Sequence, residues 1–308
     1  MIDIDIMQDA SEIIHYDFIN IPLAIQERLL SSFTNWRALC HWHDDIELVH
    51  VLDGEMNYDI NGKKILLKKG DTIMVNSQQL HYGYSNCRKE CYFIVVLFHP
   101  DLLKCNSKMY QQYVKPVIKS TTLEYFHLKA GTELNKPVSE IIIQLFDLIS
   151  PKKTYGYQAV GLLYSLWDLI YNTLKEELKN ENSKKDTEKE IQKVMVAYIY
   201  QHYQENLTLT DIASAGNTCR SNCCKLFQKY LQQSPIDFLN AYRLKISQKL
   251  LKGTSYSITE IATACGYNYL SYYTKIFNKK FGITPSAYRK KEQTNENTAV
   301  RNCEKITN

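Results

Sequence analysis

Residues 207–288 contain one pattern twice, and that repeat restricts this part of the chain more than any other feature. Leu209 to Ala215 (LTDIASA) lines up with Ile258 to Ala264 (ITEIATA), 49 residues later. After one extra residue the offset becomes 50: Lys225 to Lys229 (KLFQK) matches Lys275 to Lys279 (KIFNK), and Ser234-Pro235 matches Thr284-Pro285. Self-similarity at a fixed period means two copies of one supersecondary unit. Within each copy, Thr210 or Thr259 is read as the helix cap, and the acidic residue after it suits a helix N-terminus. The Ile-Ala pair lets a second helix approach closely, and Gly216 or Gly266 is placed at a turn that a Cβ would oppose. The following helix buries Leu226-Phe227 or Ile276-Phe277 and leaves its N-terminal half polar. That is a helix-turn-helix whose second helix is free to enter a major groove. Between the copies, Pro235 to Leu251 reads as one helix with Pro in its first turn. About 16 residues span roughly 24 Å, a length suited to holding two such helices near one DNA turn, about 34 Å, apart.

Charge is divided in the same way. Residues 1–185 hold 20 Lys+Arg and 23 Asp+Glu, a net of −3, whereas residues 186–290 hold 14 and 7, a net of +7. The whole basic excess coincides with the repeat, as a nucleic-acid-binding module requires. With 308 residues and 44% hydrophobic content the chain supports two ordinary cores. Its nine cysteines are odd in number and irregularly spaced, so they read as free thiols. Cys219, Cys223 and Cys224 lack a second ligand pair at zinc-finger spacing. The most apolar run of the first half, Tyr92 to Phe98, is too short to span a bilayer, and Met1 to Asp5 has no secretory-signal pattern. A cytoplasmic protein with no membrane partner is expected.

The first part of the chain, from about Ile21 to Phe98, reads as strands and turns. Glu47 to Leu52 ends at the turn Asp53-Gly54, and Met56 to Ile60 ends at Asn61-Gly62, a strong two-residue hairpin signal. Ile65 to Leu67 and Thr72 to Val75 flank another turn, Lys69-Gly70-Asp71. This spacing predicts a small antiparallel barrel or sandwich. From Pro137 the period becomes helical, through Val138, Ile141, Ile142, Leu145, Phe146 and Ile149 to a stop at Pro151. It resumes over Tyr157 to Leu178 through Val160, Leu163, Tyr164, Trp167, Ile170, Tyr171 and Leu174. These two stripes can cover the barrel, pair with a second subunit, or do both. The expected division is therefore 1–136 for a sensing domain, 137–179 for a helical pair and dimerisation element, and 180–189 for a polar linker. Residues 190–290 form the DNA-binding domain and 291–308 a disordered tail.

Ile258 to Ala262, Gly266-Tyr267, the run from Ser271 through Lys275 and Phe277 to Lys279, and Gly282 to Arg289 with Pro285 and Tyr288 resemble the signature of AraC/XylS-family transcription regulators. The resemblance covers about residues 190–290. It implies a seven-helix, two-unit domain that binds an asymmetric site in double-stranded promoter DNA, with RNA polymerase as a partner, activation as the family habit, and a homodimer. By position, the first recognition helix maps to Arg220–Tyr230, with Arg220, Ser221, Asn222, Cys224 and Lys225 toward DNA. The second maps to Leu270–Lys280, with Leu270, Ser271, Thr274 and Lys275. Arg243 is read as structural or phosphate-facing. Cys219 and Tyr269 stand where the family carries polar caps, so Thr218 and Asn268 are the substitute caps. Cys224 and Leu270 suit thymine methyl groups better than hydrogen-bonding base edges.

In the first domain, His41, His43, Glu47, Gly54, Gly70 and His81 resemble the two motifs of the cupin fold. The second motif is degraded, with Asn76, Gln78 and Ser85 at its usual Pro, Gly and Asn positions. His41, His43 and Glu47 share one strand parity and can face the interior together. The fold class expected is α+β: a cupin-like antiparallel β-barrel with a helical pair, then an all-α double helix-turn-helix. Three readings of the cluster stand. The preferred one is a pocket without metal or other cofactor, in which Arg37, His41, His43, Glu47 and His81 meet a small polar effector such as a sugar. Trp36, Trp42 and Tyr58 are further pocket candidates, since aromatic faces suit sugar rings. The second is a metal site of His41, His43, Glu47 and His81, suited to Fe, Mn, Ni or Zn, in a sensor or enzyme. The third is core histidines with satisfied hydrogen bonds. No catalytic residues are assigned, and the protein is not expected to be an enzyme.

Overall fold

The structure, a computed structural model, describes residues 11–17, 21–148, 156–179 and 187–291. Met1 to Asp5, the expected stop at Pro151, most of the expected linker and the tail beyond residue 291 lie outside the described residues. The chain divides into two compact units, residues 1–193 with 229–231, and residues 194–228 with 232–308.

The first unit is built on seven strands, β1 (Leu23–Leu29), β2 (Ile46–Ile60), β3 (Lys63–Lys68), β4 (Thr72–Val75), β5 (His81–Tyr84), β6 (Cys91–Phe98) and β7 (Tyr125–Leu128). All of their pairings are antiparallel. The order is β1-β6-β2-β4-β7, with β3 and β5 also paired to β2. Strand β2 is the hub. Its first half pairs with β6 and β4, and its second half with β3 and β5. The sequence predicts a turn at Asp53-Gly54, but the strand runs through it. The register against β6 slips between Val51 and Asp53, which is a β-bulge. Gly54 has φ +80°, and a Cβ there would lie 2.2 Å from the Glu90 carbonyl oxygen. Glycine is therefore what lets the strand bend and continue. Asn61 (φ 50°) and Gly62 (φ 82°) form the expected tight hairpin turn.

Between β6 and β7 lie α1 (Ser107–Met109), a π-helical turn (Tyr110–Val114) and α2 (Lys115–Ile118). The amphipathic pair follows as α3 (Asn135–Leu148) and α4 (Gly156–Lys179). Their apolar stripes are spent on the sheet: Val138, Ile142, Leu145, Leu163, Leu166, Trp167, Ile170 and Leu174 share one core with Leu23, Ile46, Leu48, Met74, Val96 and Phe98. Burying each such side chain contributes about 1.5–3 kcal/mol. Trp167 meets Phe98 edge-on, with ring centroids 6.3 Å apart, and its indole N–H donates to the Tyr113 carbonyl at 3.1 Å. What α4 turns outward is Tyr157 in its first turn and, beyond it, polar or small residues: Gln158, Gly161, Ser165, Asp168 and Asn172.

The second unit takes residues 194–202 of α5 (Thr187–His202), a helix that begins inside the expected linker, then α6 (Leu209–Ala215), α7 (Arg220–Leu231) up to residue 228, α8 (Pro235–Gly253), α9 (Ile258–Ala264) and α10 (Leu270–Phe281). A last helical segment covers 285–291. The caps differ from those expected at Thr210 and Thr259. Thr208 and Ser257 are the N-caps, each closing a reciprocal capping box, with Asp211 and Glu260 respectively. Such a cap contributes about 1 kcal/mol. Ser234 caps α8 and Pro235 opens it, as the sequence predicts. No described helix is long and apolar enough to cross a membrane.

Asp59 gives the first unit a pH-dependent element. It is buried on β2 and accepts the Gly62 N–H at 2.8 Å. Burial pushes its pKa up to about 6. A raised carboxylate pKa means that protonation favours the native state. The benefit is full below about pH 4 and is lost as pH rises through 6. Asp59→Asn keeps the Gly62 acceptor and removes the buried charge. We expect it to raise the melting temperature at pH 7 by roughly 2–4 °C and to leave it unchanged at pH 4, read by circular dichroism.

Candidate DNA interface and effector site

Each recognition helix buries one face and offers the other. On α7, Cys223, Leu226 and Phe227 are buried, while Arg220, Ser221, Lys225 and Gln228 are exposed. On α10, Tyr273 and Phe277 are buried, while Leu270, Ser271, Tyr272, Lys275, Asn278 and Lys279 are exposed. Cys224 and Thr274 are half-buried at equivalent positions. Asn222 is also half-buried, and its amide donates to the Thr218 hydroxyl at 2.8 Å. Neither helix has a side-chain cap: Cys219 and Tyr269 occupy the N-cap positions, so Thr218 and Asn268 do not substitute. The N-terminal amides of both helices are thus left for a ligand, and phosphate suits such a position.

The turns before these helices correspond in an unexpected way. Gly216 has φ −83°, and the left-handed residue of the first turn is Asn217, φ 47°. In the second turn it is Gly266, φ 78°. The hydrogen bonds agree: Asn217 N to Ser214 O and Thr218 N to Ala213 O match Gly266 N to Thr263 O and Tyr267 N to Ala262 O. Asn217 is therefore the counterpart of Gly266 and Thr218 that of Tyr267, both still at the 49-residue offset, and the extra residue, Asn268, enters before the N-caps Cys219 and Tyr269. Asn tolerates this conformation, which is why a single glycine alignment misplaces the turn.

Arg243 on α8 is buried, with its Nε on the Tyr203 carbonyl at 2.7 Å and an Nη on that of Glu205 at 2.6 Å. It ties the chain between α5 and α6 to α8, and its guanidinium lies 5.4 Å from the Tyr267 ring centroid. A Cβ on Gly266 would lie 2.4 Å from the Tyr203 carbonyl oxygen, so the tight turn and the arginine anchor share one crowded space.

In the first unit, His41, His43, Glu47 and His81 are all buried, and their ligand atoms lie within 4.8 Å of one another. A backbone bridge joins His41 to His81, and the bend of β2 brings Tyr58 round so that its hydroxyl donates to Glu47 Oε1. Nε2 of His43 and Nε2 of His81 are each 3.6 Å from Glu47 Oε2. Burial acts to raise the Glu47 carboxyl, but the neighbouring His81 and His43 hold it well below the usual range. Burial acts to lower His43, and Glu47 outweighs it, so His43 is raised. Burial and the approach of His41 lower His81. Tyr58 is pushed well above the usual phenol value by burial and by Glu47.

A cavity of about 80 Å³ opens beside this cluster. Its polar wall comprises Glu12, Gln26, Arg28, His41, Glu47 and Tyr58, and its apolar wall includes Leu30, Phe33, Val49, Phe93 and Val95. Arg37, expected in the pocket, is not in its lining. It packs over the rings of Tyr82 and Tyr84, at 5.0 and 4.3 Å from their centroids. Those two residues alternate along β5 with His81 and Gly83, so they face away from the cluster. Trp36 and Trp42 are likewise absent from the lining, whereas Tyr58 belongs to it.

Comparison with known proteins accounts for both halves. The AraC-like ligand binding domain family matches residues 24–167, and a helix-turn-helix domain family matches residues 212–291. The chain belongs to the AraC family. It is similar to the uncharacterized HTH-type transcriptional regulator YdeC of Bacillus subtilis, at 29% identity over 92% of this chain and 97% of that protein. It is also similar to the melibiose operon regulatory protein of Escherichia coli, at 24% identity over 84% and 85% of the two chains. The lactose operon transcription activator of Staphylococcus xylosus is 25% identical over 78% and 81%. This AraC-family chain is a DNA-binding transcriptional regulator with a ligand-binding domain before its helix-turn-helix region.

Sequence reasoning missed several residues that the structure adds as candidates at the two sites of this AraC-family protein. Gln228 and Asn278 lie one turn beyond Cys224 and Thr274 on the exposed faces, and the repeat itself pairs them at offset 50. Glu12, Gln26 and Arg28 come from the N-terminal segment and β1, where no periodic or motif signal marks them. A test of Arg243 separates framework from interface. Arg243→Ala removes two buried donors and is expected to destabilise folding by about 2–4 kcal/mol in urea titration. At temperatures where the variant stays folded, its DNA affinity should change far less than that of a variant in α7 or α10.

Proposed function

We propose that this AraC-family regulator binds an asymmetric site in promoter DNA through Arg220, Ser221, Asn222, Cys224 and Lys225 of α7 and Leu270, Ser271, Thr274 and Lys275 of α10. The observation that carries the reading is the matched exposure of the two helices: the same positions of a 50-residue repeat are left uncovered, each with a lysine at the equivalent site. Lys225 and Lys275 serve as phosphate or base anchors, and Gln228 and Asn278 add amide groups of the kind that recognise adenine.

On this reading the protein is a cytoplasmic activator without catalytic activity, working with RNA polymerase as a homodimer. Because the apolar stripes of α3 and α4 are spent on the sheet, the subunit contact falls to their outward faces, and sedimentation measures it. The small-molecule effector enters the cavity beside His41, His43, Glu47 and His81, and shifts the balance between two arrangements of the DNA-binding domains. Arg37 has a place in effector binding only through its stack on Tyr82 and Tyr84. Two relatives are named for melibiose and lactose operons, which supports a sugar. A cavity of about 80 Å³ is well below the roughly 300 Å³ at which ligand pockets usually begin, so a sugar requires the walls to part.

Fluorescence anisotropy against the protein's own upstream promoter region, with scrambled DNA as control, tests the DNA assignment. Lys225→Ala and Lys275→Ala should each weaken binding roughly ten-fold and flatten the salt dependence by about one phosphate contact. Lys119→Ala, exposed on the other unit, should leave it unchanged. Equal losses in all three variants would remove α7 and α10 as the reading elements.

A further inference from the structure

We propose that a cavity between β7 and the last turns of α4 binds a small carboxylate with an apolar body, its charged head on Lys63. This second ligand site goes beyond the regulatory reading and does not depend on it.

The site arises because the apolar stripe of α4 is covered unevenly. Ile170 and Leu174 are fully buried, but Leu178, one turn further along the same face, is only half-buried. Phe126 of β7 and Leu123 just before that strand are half-buried as well. β7 ends its side of the sheet and pairs only with β4, so no further strand covers these side chains among the described residues. They enclose a cavity of about 340 Å³, within the roughly 300–1,000 Å³ usual for small-molecule sites. It shares no lining residue with the smaller cavity beside the histidines, which draws on β1 and β6 at the other end of the sheet.

The polar end of the cavity is built on Glu124, whose side chain is only 6% exposed. Lys189 Nζ meets its Oε1, and Lys63 Nζ lies 2.7 Å from its Oε2 without hydrogen-bond alignment. Two ammoniums against one carboxylate leave one positive charge in excess. His127 also lines the cavity, but its Nε2 is committed to Asp71 Oδ2 at 3.2 Å, and Asp71 also accepts the Lys68 and Ala130 N–H groups. The excess therefore rests with Lys63, whose side chain is 57% exposed, against 16% for Lys189. Its Nζ stands 5.9 Å from the centre of the Tyr125 ring, so a group that reaches Lys63 lies along an aromatic face.

These features select the ligand. One surplus positive charge matches a carboxylate, whereas a phosphate monoester brings nearly two negative charges and meets repulsion from Glu124. An amine would face two ammoniums. A sugar would set hydroxyls against Leu123, Phe126 and Leu178 and lose their hydrogen bonds to water. A carboxylate carrying a ring or a branched chain satisfies both ends, with its head on Lys63 and its body against the uncovered end of the α4 stripe.

The test uses the full-length chain and three molecules with one body and different heads: phenylpropanoate, phenylpropanol and phenylpropylamine, titrated by ligand-observed NMR. We expect the acid to bind saturably with a dissociation constant on the order of 0.1–1 mM, as its size allows. The alcohol and the amine should bind roughly five-fold more weakly or worse. Lys63→Gln should cost the acid that same factor and leave the alcohol unchanged. Glu124→Gln removes the competing charge and should tighten the acid about two-fold or more, an effect that a merely structural glutamate would not produce. Leu178→Gln should weaken acid and alcohol alike. Circular dichroism checks the folding of each variant, and if Glu124→Gln or Leu178→Gln fails to fold, the order of head groups and Lys63→Gln decide. Equal affinity for all three heads would mean adsorption to apolar surface and overturn the proposal, as would the absence of saturable binding. Loss of the acid in Arg28→Gln with none in Lys63→Gln would place it beside the histidines and overturn it too. Promoter binding, measured in parallel without the acid, keeps a failed second site distinct from a failed DNA assignment.

Discussion

Strand β2 has to serve two sets of partners, and the bulge that allows this shapes everything the first unit does. Val51 and Asp53 lose register against β6, Gly54 passes under the Glu90 carbonyl in a left-handed conformation, and the strand leaves on a new course. Without that bend, Glu47 and Tyr58, eleven residues apart on one strand, would be separated by about 36 Å. With it, the phenol donates to the carboxylate. The same bend lets β5 return against the second half of β2, so that His81 faces the pair His41 and His43 across the interior. A polar cluster this deep is tolerable only because its outward groups are satisfied by backbone carbonyls, which keeps the rings aimed inward.

Much of this was legible in the sequence, for reasons that are local. Parity along a strand places His41, His43 and Glu47 on one face whatever the rest of the chain does, and Asn61-Gly62 specifies its hairpin by itself. The repeat announces two helix-turn-helix units because each buries the same few residues. Other features depend on partners distant in sequence. Asp53-Gly54 has the composition of a turn and becomes a bulge only because β6 runs alongside it. Arg37 looks like a pocket cation until Tyr82 and Tyr84 are found on the far side of β5. Glu12 and Arg28 have no motif at all; they belong to the cavity because β1 pairs with β6 and the N-terminal segment bridges to Trp42.

The caps show how a reading can be right in kind and wrong in place. Thr210 and Thr259 align across the repeat and have the right chemistry, yet Thr208 and Ser257 do the capping. A capping box needs its acidic partner three residues on, and Asp211 and Glu260 are three from Thr208 and Ser257 and only one from Thr210 and Thr259. The acid's position was the decisive clue, and it was available in the sequence.

The differences between the two copies bear on what kind of DNA site they read. Compared at the offset of 50, Ser221 and Lys225 have identical partners in Ser271 and Lys275, whereas Arg220, Asn222 and Cys224 face Leu270, Tyr272 and Thr274. A hydroxyl and an ammonium suit phosphate oxygens, which are the same at every step of the duplex, so identity at those positions costs no information. A guanidinium against a leucine, or a thiol against a threonine, present different groups to base edges in the major groove. Two helices that share their anchors and differ in their readers need two different half-sites. The asymmetry proposed for the DNA site then follows from which positions the repeat has kept alike and which it has let diverge.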